Sequence, residues 1–328
     1  MLTSDGIPIE VEHRPAQGGS SHLAIVLAHG FTGALERPAI RAAARNFSAI
    51  GGVVTFSFRG HGRSGGRSTV GDLEVLDLDA VIGWARRLGY EQVATVGFSM
   101  GGSVVLRHAG AVGAAKVVGA DRTRSAGRSP AQRLEAGEAL QAPSRARDAF
   151  EGVGAPLAPS RARGASESVD AVVAVSSPAR WYYRGTAPMR RLHWVVTRPA
   201  GRLVSRLGYG TRIHPEEWNP VPLSPVESVP YIAPTPLLIV HGDQDGYFPL
   251  DHPRSLAAAA DPATAELWIE PGFGHAENAA APALLARIGR WLTARVPAQR
   301  GGRAMMDAGA ARRRAVPRDD EGRSDGSS

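Results

Sequence analysis

The sequence predicts an α/β protein with a mostly parallel, doubly wound sheet and a lid inserted between two of its strands. Short, continuous apolar runs recur along the chain, and such runs are typical of strands covered on both faces. A stretch with the apolar spacing of a helix follows most of them, which gives the β-α-β alternation of a parallel sheet. Residues 178–234 interrupt this alternation, and we interpret them as the lid.

The elements begin with an N-terminal hairpin, indicated by a turn at Asp5-Gly6 and by alternating polarity over 7–12. Apolar runs and helical spacing then assign the remaining strands and helices in turn. The predicted strands are 23–28, 53–56, 92–96, 170–175, 236–240 and 266–269, and the predicted helices are 37–50, 72–88, 252–260 and 282–295, with a further helix after 97–101.

The chain is organised around the pentapeptide Gly-Phe-Ser-Met-Gly at 97–101, which joins the third of these strands to a helix. A serine at the tip of such a turn is held in a strained conformation, and the glycines let strand and helix approach closely. We therefore expect Ser99 to project its hydroxyl above the sheet. A second Gly-x-Ser-x-Gly sequence at 62–66 lacks the apolar helical run behind it, so Ser64 is predicted to be a loop residue.

Two segments lack the periodic apolar residues of a folded core. Residues 116–168 are dominated by Arg, Ala, Ser, Gly and Pro, which bury too little surface to offset their ordering entropy. We predict a disordered or loosely helical insertion there. Residues 297–328 turn polar and are predicted to be a disordered tail. The core is therefore expected to comprise 1–115 and 169–296.

The composition is that of a globular protein, with 43% hydrophobic residues and no cysteine. The absence of cysteine excludes disulfides, thiolate catalysis and Cys-ligated zinc. Much of the formal charge of +7 lies in the segments just described, with nine basic against six acidic residues at 116–167 and seven against five at 297–328. We therefore expect no nucleic-acid partner. With no long apolar run and no signal-peptide pattern, we expect a cytoplasmic protein without a transmembrane segment.

A serine nucleophile needs a base to take its proton and an acid to orient that base. Asp245 follows a predicted strand, and His275 lies in the glycine-containing loop after the next strand. The order serine, acid, histidine is a known arrangement, so these three residues form the predicted catalytic set. Asp243 is the alternative acid because the same loop carries it. The competing histidines are His193, His214 and His252.

Attack on a carbonyl develops an oxyanion, which backbone N–H groups stabilise in a water-poor site. The N–H of Met100, at the start of the helix behind Ser99, is one expected donor. The other is the N–H of Phe31, in the loop after the strand 23–28, whose His29 and Gly30 are expected to shape the loop.

Five motifs, in this order along the chain, resemble the α/β-hydrolase superfamily, and within it the esterase, lipase and serine-aminopeptidase-like members. They are His29-Gly30-Phe31, the stretch 59–64, the stretch 97–102, His241-Gly242 with Asp245 and Pro249, and Gly274-His275. The resemblance implies Ser99 as nucleophile, Asp245 as acid, His275 as base, and Phe31 with Met100 as oxyanion donors. One departure is Ser57, where many relatives carry an aspartate; it bears on the support of that loop. The other is the insertion 116–168, which bears on packing behind Ser99.

The predicted lid is rich in arginine and aromatic residues. No Asp or Glu occurs from Ala171 to Pro215. Three interpretations remain open: a solvated face, a pocket for a carboxylate- or phosphate-bearing substrate, and a contact with anionic lipid. The lid residues proposed to contact substrate are Trp181, Tyr182, Arg184 and Arg190.

The sequence thus predicts a serine hydrolase that needs no cofactor or metal and cleaves a carboxylic ester through an acyl-enzyme. The expected partner is a small-molecule ester, with an anionic or lipid-like ester as one form of it. Two alternatives stay open: a C–C bond hydrolase or acyltransferase with the same triad, and a catalytically silent binding protein with this fold. Oligomeric state is not indicated.

Overall fold

A computed structural model of the chain describes residues 1–126 and 168–296. Within these residues the strands form one seven-stranded sheet in the order β1-β3-β2-β4-β5-β6-β7. β1 runs antiparallel to β3, and every other neighbouring pair is parallel. The predicted mostly parallel α/β architecture is therefore confirmed.

The elements have the following bounds. The strands are β1 Val11–Arg14, β2 Leu23–Ala28, β3 Gly52–Phe56, β4 Gln92–Phe98, β5 Ala171–Val175, β6 Leu237–Gly242 and β7 Ala265–Glu270. The helices are α1 Pro38–Phe47, α2 Glu74–Arg87, α3 Met100–Ala126, α4 Ala187–Thr197, α5 Pro199–Val204, α6 Pro225–Ser228, α7 Asp251–Ala259, α8 Ala276–Ala279 and α9 Pro282–Arg295. A π-helical turn, Ser205–Tyr209, follows α5, and a 3₁₀ turn, Val229–Tyr231, follows α6.

Helices cover both faces of the sheet, which explains why the central strands are continuously apolar. On one face the sheet packs against α2 and α3, with Leu78, Ile82 and Leu106 fully buried. On the other face it packs against α1 and α9, with Phe47 and Ile288 fully buried. Side chains that point either way from a central strand therefore meet an apolar environment.

The strand order changes direction at β2, because β3 lies on one side of it and β4 on the other. Loops that leave two such neighbouring strands at their carboxyl ends diverge and leave a crevice between them. The loop after β2 carries Phe31, and the turn after β4 carries Ser99. The fold therefore brings two of the predicted site segments together.

The N-terminal hairpin and the end of α3 differ most from the prediction. The N-terminal hairpin is reduced to a single bridge between Leu2 and Pro8, and the chain then pairs as β1 with β3 instead. Helix α3 continues to Ala126, so residues 116–126 of the predicted insertion belong to this helix. Its glycines are packing positions: a Cβ on Gly110 would lie 2.4 Å from the Ser228 carbonyl oxygen. Residues 127–167 and 297–328 lie outside the described part of the chain, so the predicted insertion and tail stay predictions.

The predicted lid region contains α4, α5, the π-helical turn and α6, all between β5 and β6. Its first two helices are separate because Arg198, just before Pro199, is extended with φ −100° and ψ 140°. None of the helices in the described residues is both long and apolar enough to span a bilayer.

Candidate active site

Ser99 lies at the tip of the turn between β4 and α3, with a backbone φ of 51°. A positive φ at a non-glycine residue stores strain of roughly 1–3 kcal/mol and is found mainly at functional sites. Neighbouring glycines make room for the turn. A Cβ on Gly97 would lie 2.2 Å from the Gly101 carbonyl oxygen, and a Cβ on Gly101 would lie 2.2 Å from the Ala28 carbonyl oxygen.

Gly101→Ala is therefore expected to lower the free energy of unfolding by about 3 kcal/mol or more, because backbone atoms of β2 must move to admit the methyl group. Urea unfolding measures the change. Gly208→Ala is the control, since a Cβ there has no heavy atom within 4 Å; we expect it to change stability by at most about 0.5 kcal/mol. Equal unfolding midpoints for the two variants would contradict this packing argument.

The side chains of Ser99, His275 and Asp245 form a continuous hydrogen-bonded chain. The Nε2 atom of His275 lies 2.9 Å from Ser99 Oγ, and its Nδ1 atom lies 2.8 Å from Asp245 Oδ2. The three residues come from the ends of three different strands, 176 residues apart at the widest pair. Each ring nitrogen therefore has one partner, which is the geometry a general base requires.

The carboxyl group of Asp245 is inaccessible to solvent and well supplied with donors. Its Oδ1 atom accepts the N–H groups of Tyr247 at 2.8 Å and Phe248 at 3.1 Å. Burial raises the pKa of Asp245, but the hydrogen bond and charge of His275 together with these two N–H groups outweigh burial, so the pKa lies below its usual value. The carboxyl group is therefore held as the anion that orients an imidazole.

The alternative acid, Asp243, points elsewhere. Its Oδ1 atom accepts the N–H of Gly272 at 2.7 Å, and the residue is exposed. This contact ties the loop after β6 to the loop that carries His275. Asp243 therefore connects the two loops, whereas Asp245 contacts the imidazole of His275.

Two aromatic rings hold the imidazole in place. The ring of Tyr247 stacks on that of His275 with centroids 4.3 Å apart, and the ring of Phe248 meets it edge-on at 5.6 Å. Both rings belong to the segment that follows Asp245. The same short stretch therefore supplies the acid, its two N–H donors and the packing around the base.

The two predicted oxyanion donors lie on either side of Ser99. Met100 begins α3, and the first N–H groups of a helix have no intrahelical acceptor. Phe31 lies in the loop after β2, and both residues line the same cavity as Ser99. Neither amide N–H has a hydrogen-bond acceptor among the described residues. Both remain available to an oxygen atom bound beside Ser99.

Two buried histidines shape the loop at 29–33, which we call the oxyanion loop. His29 Nδ1 lies 2.7 Å from the Gly30 carbonyl oxygen, and its Nε2 accepts the Phe58 N–H at 3.0 Å. The proton therefore resides on Nδ1. Burial and the nearby His61 hold the pKa of His29 well below its usual value, so the ring is neutral. The His61 ring in turn contacts the Phe31 carbonyl oxygen.

A cavity of about 230 Å³ is lined by Ser99 and by residues of α4 and α5 in the predicted lid region. Trp181 and Tyr182, predicted to contact substrate, line it together with Trp218, whose ring lies 5.0 Å from that of Trp181. Trp181 donates its indole N–H to the Pro222 carbonyl oxygen at 2.9 Å, which fixes the ring. The cavity wall therefore contains a cluster of aromatic rings.

The predicted lid arginines differ in position. Arg184 lines the cavity, whereas Arg190 does not; Arg190 donates to the Gly185 carbonyl oxygen at 3.1 Å. The cavity also contains acidic residues just past the acid-free stretch, Glu216 and Glu217. The lining is thus more balanced in charge than the acid-free stretch 171–215 alone indicates.

The competing residues occupy other positions. His252 accepts the Ala179 N–H at 2.9 Å, and burial lowers its pKa to about 4. His193 and His214 line the cavity, but His275 is the histidine in contact with Ser99. Ser64 is buried and accepts the Glu10 N–H at 2.9 Å, which is a loop-bracing contact, as expected for a loop residue.

Several residues that surround the site carry no signal in the sequence. Trp218 and Glu277 are two of them, although Glu277 stands only two positions after His275. Ser176 and Ala276 have positive φ values of 51° and 57°. No composition or periodicity signal marks them, because their role depends on contacts between distant loops.

The chain is similar to known proteins that have the α/β-hydrolase fold. The model of a protein family described as alpha/beta hydrolase fold matches residues 24–112. The chain is similar in structure to the Pyrococcus furiosus esterase Pf2001, with 18% identity, a TM-score of 0.58, and 90% of each chain covered. It is also similar to the alpha/beta hydrolase GrgF from Penicillium sp. sh18, with 16% identity, a TM-score of 0.57, and 90% of this chain and 97% of that one covered. Curated protein sequences gave no match.

Proposed function

Given that the chain has the α/β-hydrolase fold, we propose that it is a serine hydrolase that cleaves a carboxylic ester through an acyl-enzyme. One observation carries the proposal: the imidazole of His275 lies 2.9 Å from the hydroxyl of Ser99 and 2.8 Å from the buried carboxylate of Asp245, and the Ser99 backbone is strained. A serine that served only structure would need neither the strained backbone nor a base of this kind.

In the first half-reaction Ser99 Oγ attacks the ester carbonyl carbon while His275 Nε2 takes the hydroxyl proton. The carbonyl oxygen becomes an oxyanion and accepts the N–H groups of Phe31 and Met100. Asp245 stays ionised and stabilises the imidazolium. The tetrahedral intermediate then collapses, the bond to the alkoxy oxygen breaks, and His275 gives its proton to the leaving alcohol.

In the second half-reaction a water molecule replaces the alcohol. His275 takes a proton from this water, whose oxygen attacks the acyl carbon of the ester on Ser99. The second tetrahedral intermediate uses the same oxyanion donors. Its collapse releases the carboxylic acid and returns the proton to Ser99 Oγ, which restores the starting state.

The test is a panel of 4-nitrophenyl esters of graded acyl-chain length, measured beside labelling with a fluorophosphonate probe. We expect labelling and turnover, with the fastest turnover for acyl groups that fit a cavity of about 230 Å³. Labelling without turnover would favour acyl transfer or C–C bond cleavage. Absence of both would favour a silent binding protein.

We further propose that Arg184 favours esters with a negative charge on the acyl group. Arg180 pairs with Asp251, and Arg202 donates to the Thr197 carbonyl oxygen at 3.1 Å. Arg184 also lines the cavity, and its side chain has neither a carboxylate nor a carbonyl partner among the described residues. Of the three arginines in the lining, it is therefore the one whose side chain is most available to a substrate.

Arg184→Ala is expected to lower kcat/KM for a glutarate half ester up to about five-fold relative to the matching neutral pentanoate ester, a modest effect because the side chain is exposed. The ratio of the two rates is the measurement. Arg190→Ala is the matched control because Arg190 lies outside the cavity lining. An unchanged ratio in Arg184→Ala, or an equal change in both variants, would refute this preference.

A further inference from the structure

A buried carboxyl group, that of Glu277, lies against the oxyanion loop and takes no part in the steps described above. The residue is 9% exposed. Burial raises the pKa of its carboxyl group above the usual value, even though the Gly30 N–H and the charge of His275 favour the anion. Burying an ionisable group is costly unless it is hydrogen-bonded, so the contacts of Glu277 call for an explanation.

The principal contact joins Glu277 to the oxyanion loop. Its Oε1 atom accepts the N–H of Gly30 at 3.0 Å. A Cβ placed on Gly30 would lie 3.2 Å from both carboxyl oxygens and 3.4 Å from Ser99 Cβ. The carboxyl group, the Gly30 backbone and the Ser99 side chain are therefore packed side by side.

The position of Gly30 determines where the Phe31 N–H points. The peptide bond between them is planar, so the direction of the Gly30 carbonyl fixes the direction of the Phe31 N–H. That carbonyl is held by His29 Nδ1 at 2.7 Å and by the Gly33 N–H at 2.9 Å. A glycine backbone is otherwise permissive, and the bond to Glu277 restrains the other side of the same residue.

Glu277 is also tied to the base, since only Ala276 separates it from His275. Ala276 has a φ of 57°, and its N–H donates to Ser176 Oγ at 3.1 Å. This fixed turn directs His275 to Ser99 and Glu277 to Gly30. One short segment therefore fixes the position of the base relative to the oxyanion loop.

We propose that Glu277 is a positioning residue that clamps Gly30, and through it the Phe31 N–H, in register with His275. It acts through the backbone of the oxyanion loop and does not touch substrate. The inference rests on the proposed hydrolase function. Because an oxyanion donor acts mainly in the transition state, loss of the clamp should lower kcat and leave KM nearly unchanged.

The test compares Glu277→Ala, Glu277→Gln and Glu277→Asp in the full chain, with 4-nitrophenyl butyrate as substrate and phenylboronic acid as transition-state analogue. Gln keeps the length and an acceptor oxygen, whereas Asp keeps the charge but is shorter by one carbon–carbon bond, about 1.5 Å. Glu266→Ala is the matched control. Glu266 also accepts an N–H, from Trp291 Nε1 at 2.9 Å, but lies at the opposite end of β7.

We expect Glu277→Ala to lower kcat roughly 30-fold, with KM within about two-fold and boronate binding weakened in parallel. The kcat of Glu277→Gln should stay within about three-fold of the wild-type value, and the kcat of Glu277→Asp should fall further than that of Glu277→Gln. Glu266→Ala should retain its kcat. If Glu277→Ala does not fold, the relative activities of Glu277→Gln and Glu277→Asp test the proposal.

Three results would overturn the clamp: wild-type kcat in Glu277→Ala, a fall in its kcat without weaker boronate binding, or higher activity in Glu277→Asp than in Glu277→Gln. These results differ from failure of the proposed function. A wild-type protein that neither reacts with fluorophosphonate nor hydrolyses the ester would refute the hydrolase itself. If the wild type reacts with fluorophosphonate and hydrolyses the ester, and Glu277→Ala has the same kcat, only the clamp is refuted.

Discussion

Ser99→Ala is expected to lower kcat/KM for 4-nitrophenyl butyrate by roughly 10⁴- to 10⁶-fold. The variant has no hydroxyl oxygen to attack the carbonyl, while the cavity and the oxyanion donors remain. The remaining rate should therefore come from binding and electrostatic stabilisation alone. Steady-state kinetics over a range of enzyme concentrations separates this residual rate from contaminating activity.

Ser103→Ala is the matched control for this measurement. Ser103 lies one helical turn further along α3, lines the same cavity and is buried. Its hydroxyl has no hydrogen-bond partner among the described residues. We expect its activity to stay within about three-fold of the wild type. Activity of Ser99→Ala within ten-fold of the wild type, on the order of only 1.4 kcal/mol, would remove Ser99 as nucleophile.

Asp245→Asn should lower kcat by about 10³- to 10⁴-fold, because an amide in place of the carboxylate favours the wrong tautomer of the base. Asn fits the same space, so substrate binding and KM should change little. The pKa of Asp245 lies below its usual value. Buffers between about pH 5 and 8 therefore leave it ionised, and the loss should persist across that range.

Asp243→Asn decides between the two acids of the same loop. Asp243 is exposed and accepts only the Gly272 N–H among the described residues, and the amide oxygen of Asn can accept the same bond. We expect activity within about three-fold of the wild type. Interchanged results, with a large loss in Asp243→Asn and a small loss in Asp245→Asn, would assign the acid to Asp243.

The sequence predicted the features of the fold that depend on local pattern. Continuous apolar runs identified the buried strands, because strands covered on both faces cannot alternate in polarity. The pentapeptide at 97–101 predicted the turn that holds Ser99 at a φ of 51°. The order of acid and base along the chain predicted His275 as base and Asp245 as acid, with Asp243 as the alternative. In the structure His275 contacts Ser99, and Asp245 contacts His275.

The sequence does not predict features that depend on contacts between distant segments. The pairing of β1 with β3 requires Val11 to lie beside Phe56, and no local signal encodes that. Helix α3 extends into the predicted insertion. A Cβ on its Gly113 would lie 1.8 Å from the Tyr231 carbonyl oxygen, so this glycine lets α3 pack closely against the 3₁₀ turn Val229–Tyr231. Glu277 meets Gly30 across 247 positions. The roles of such residues can be recognised only in the folded structure, where the loops lie together.

The most direct test of the central claim locates the fluorophosphonate adduct by mass spectrometry of a tryptic digest. Cleavage after Arg87 and Arg107 releases a peptide, 88–107, whose serines are Ser99 and Ser103. We predict that fragment ions place the adduct on Ser99 and that Ser99→Ala carries none. An adduct on Ser103 or on any other peptide, or one that persists in Ser99→Ala, would contradict the account.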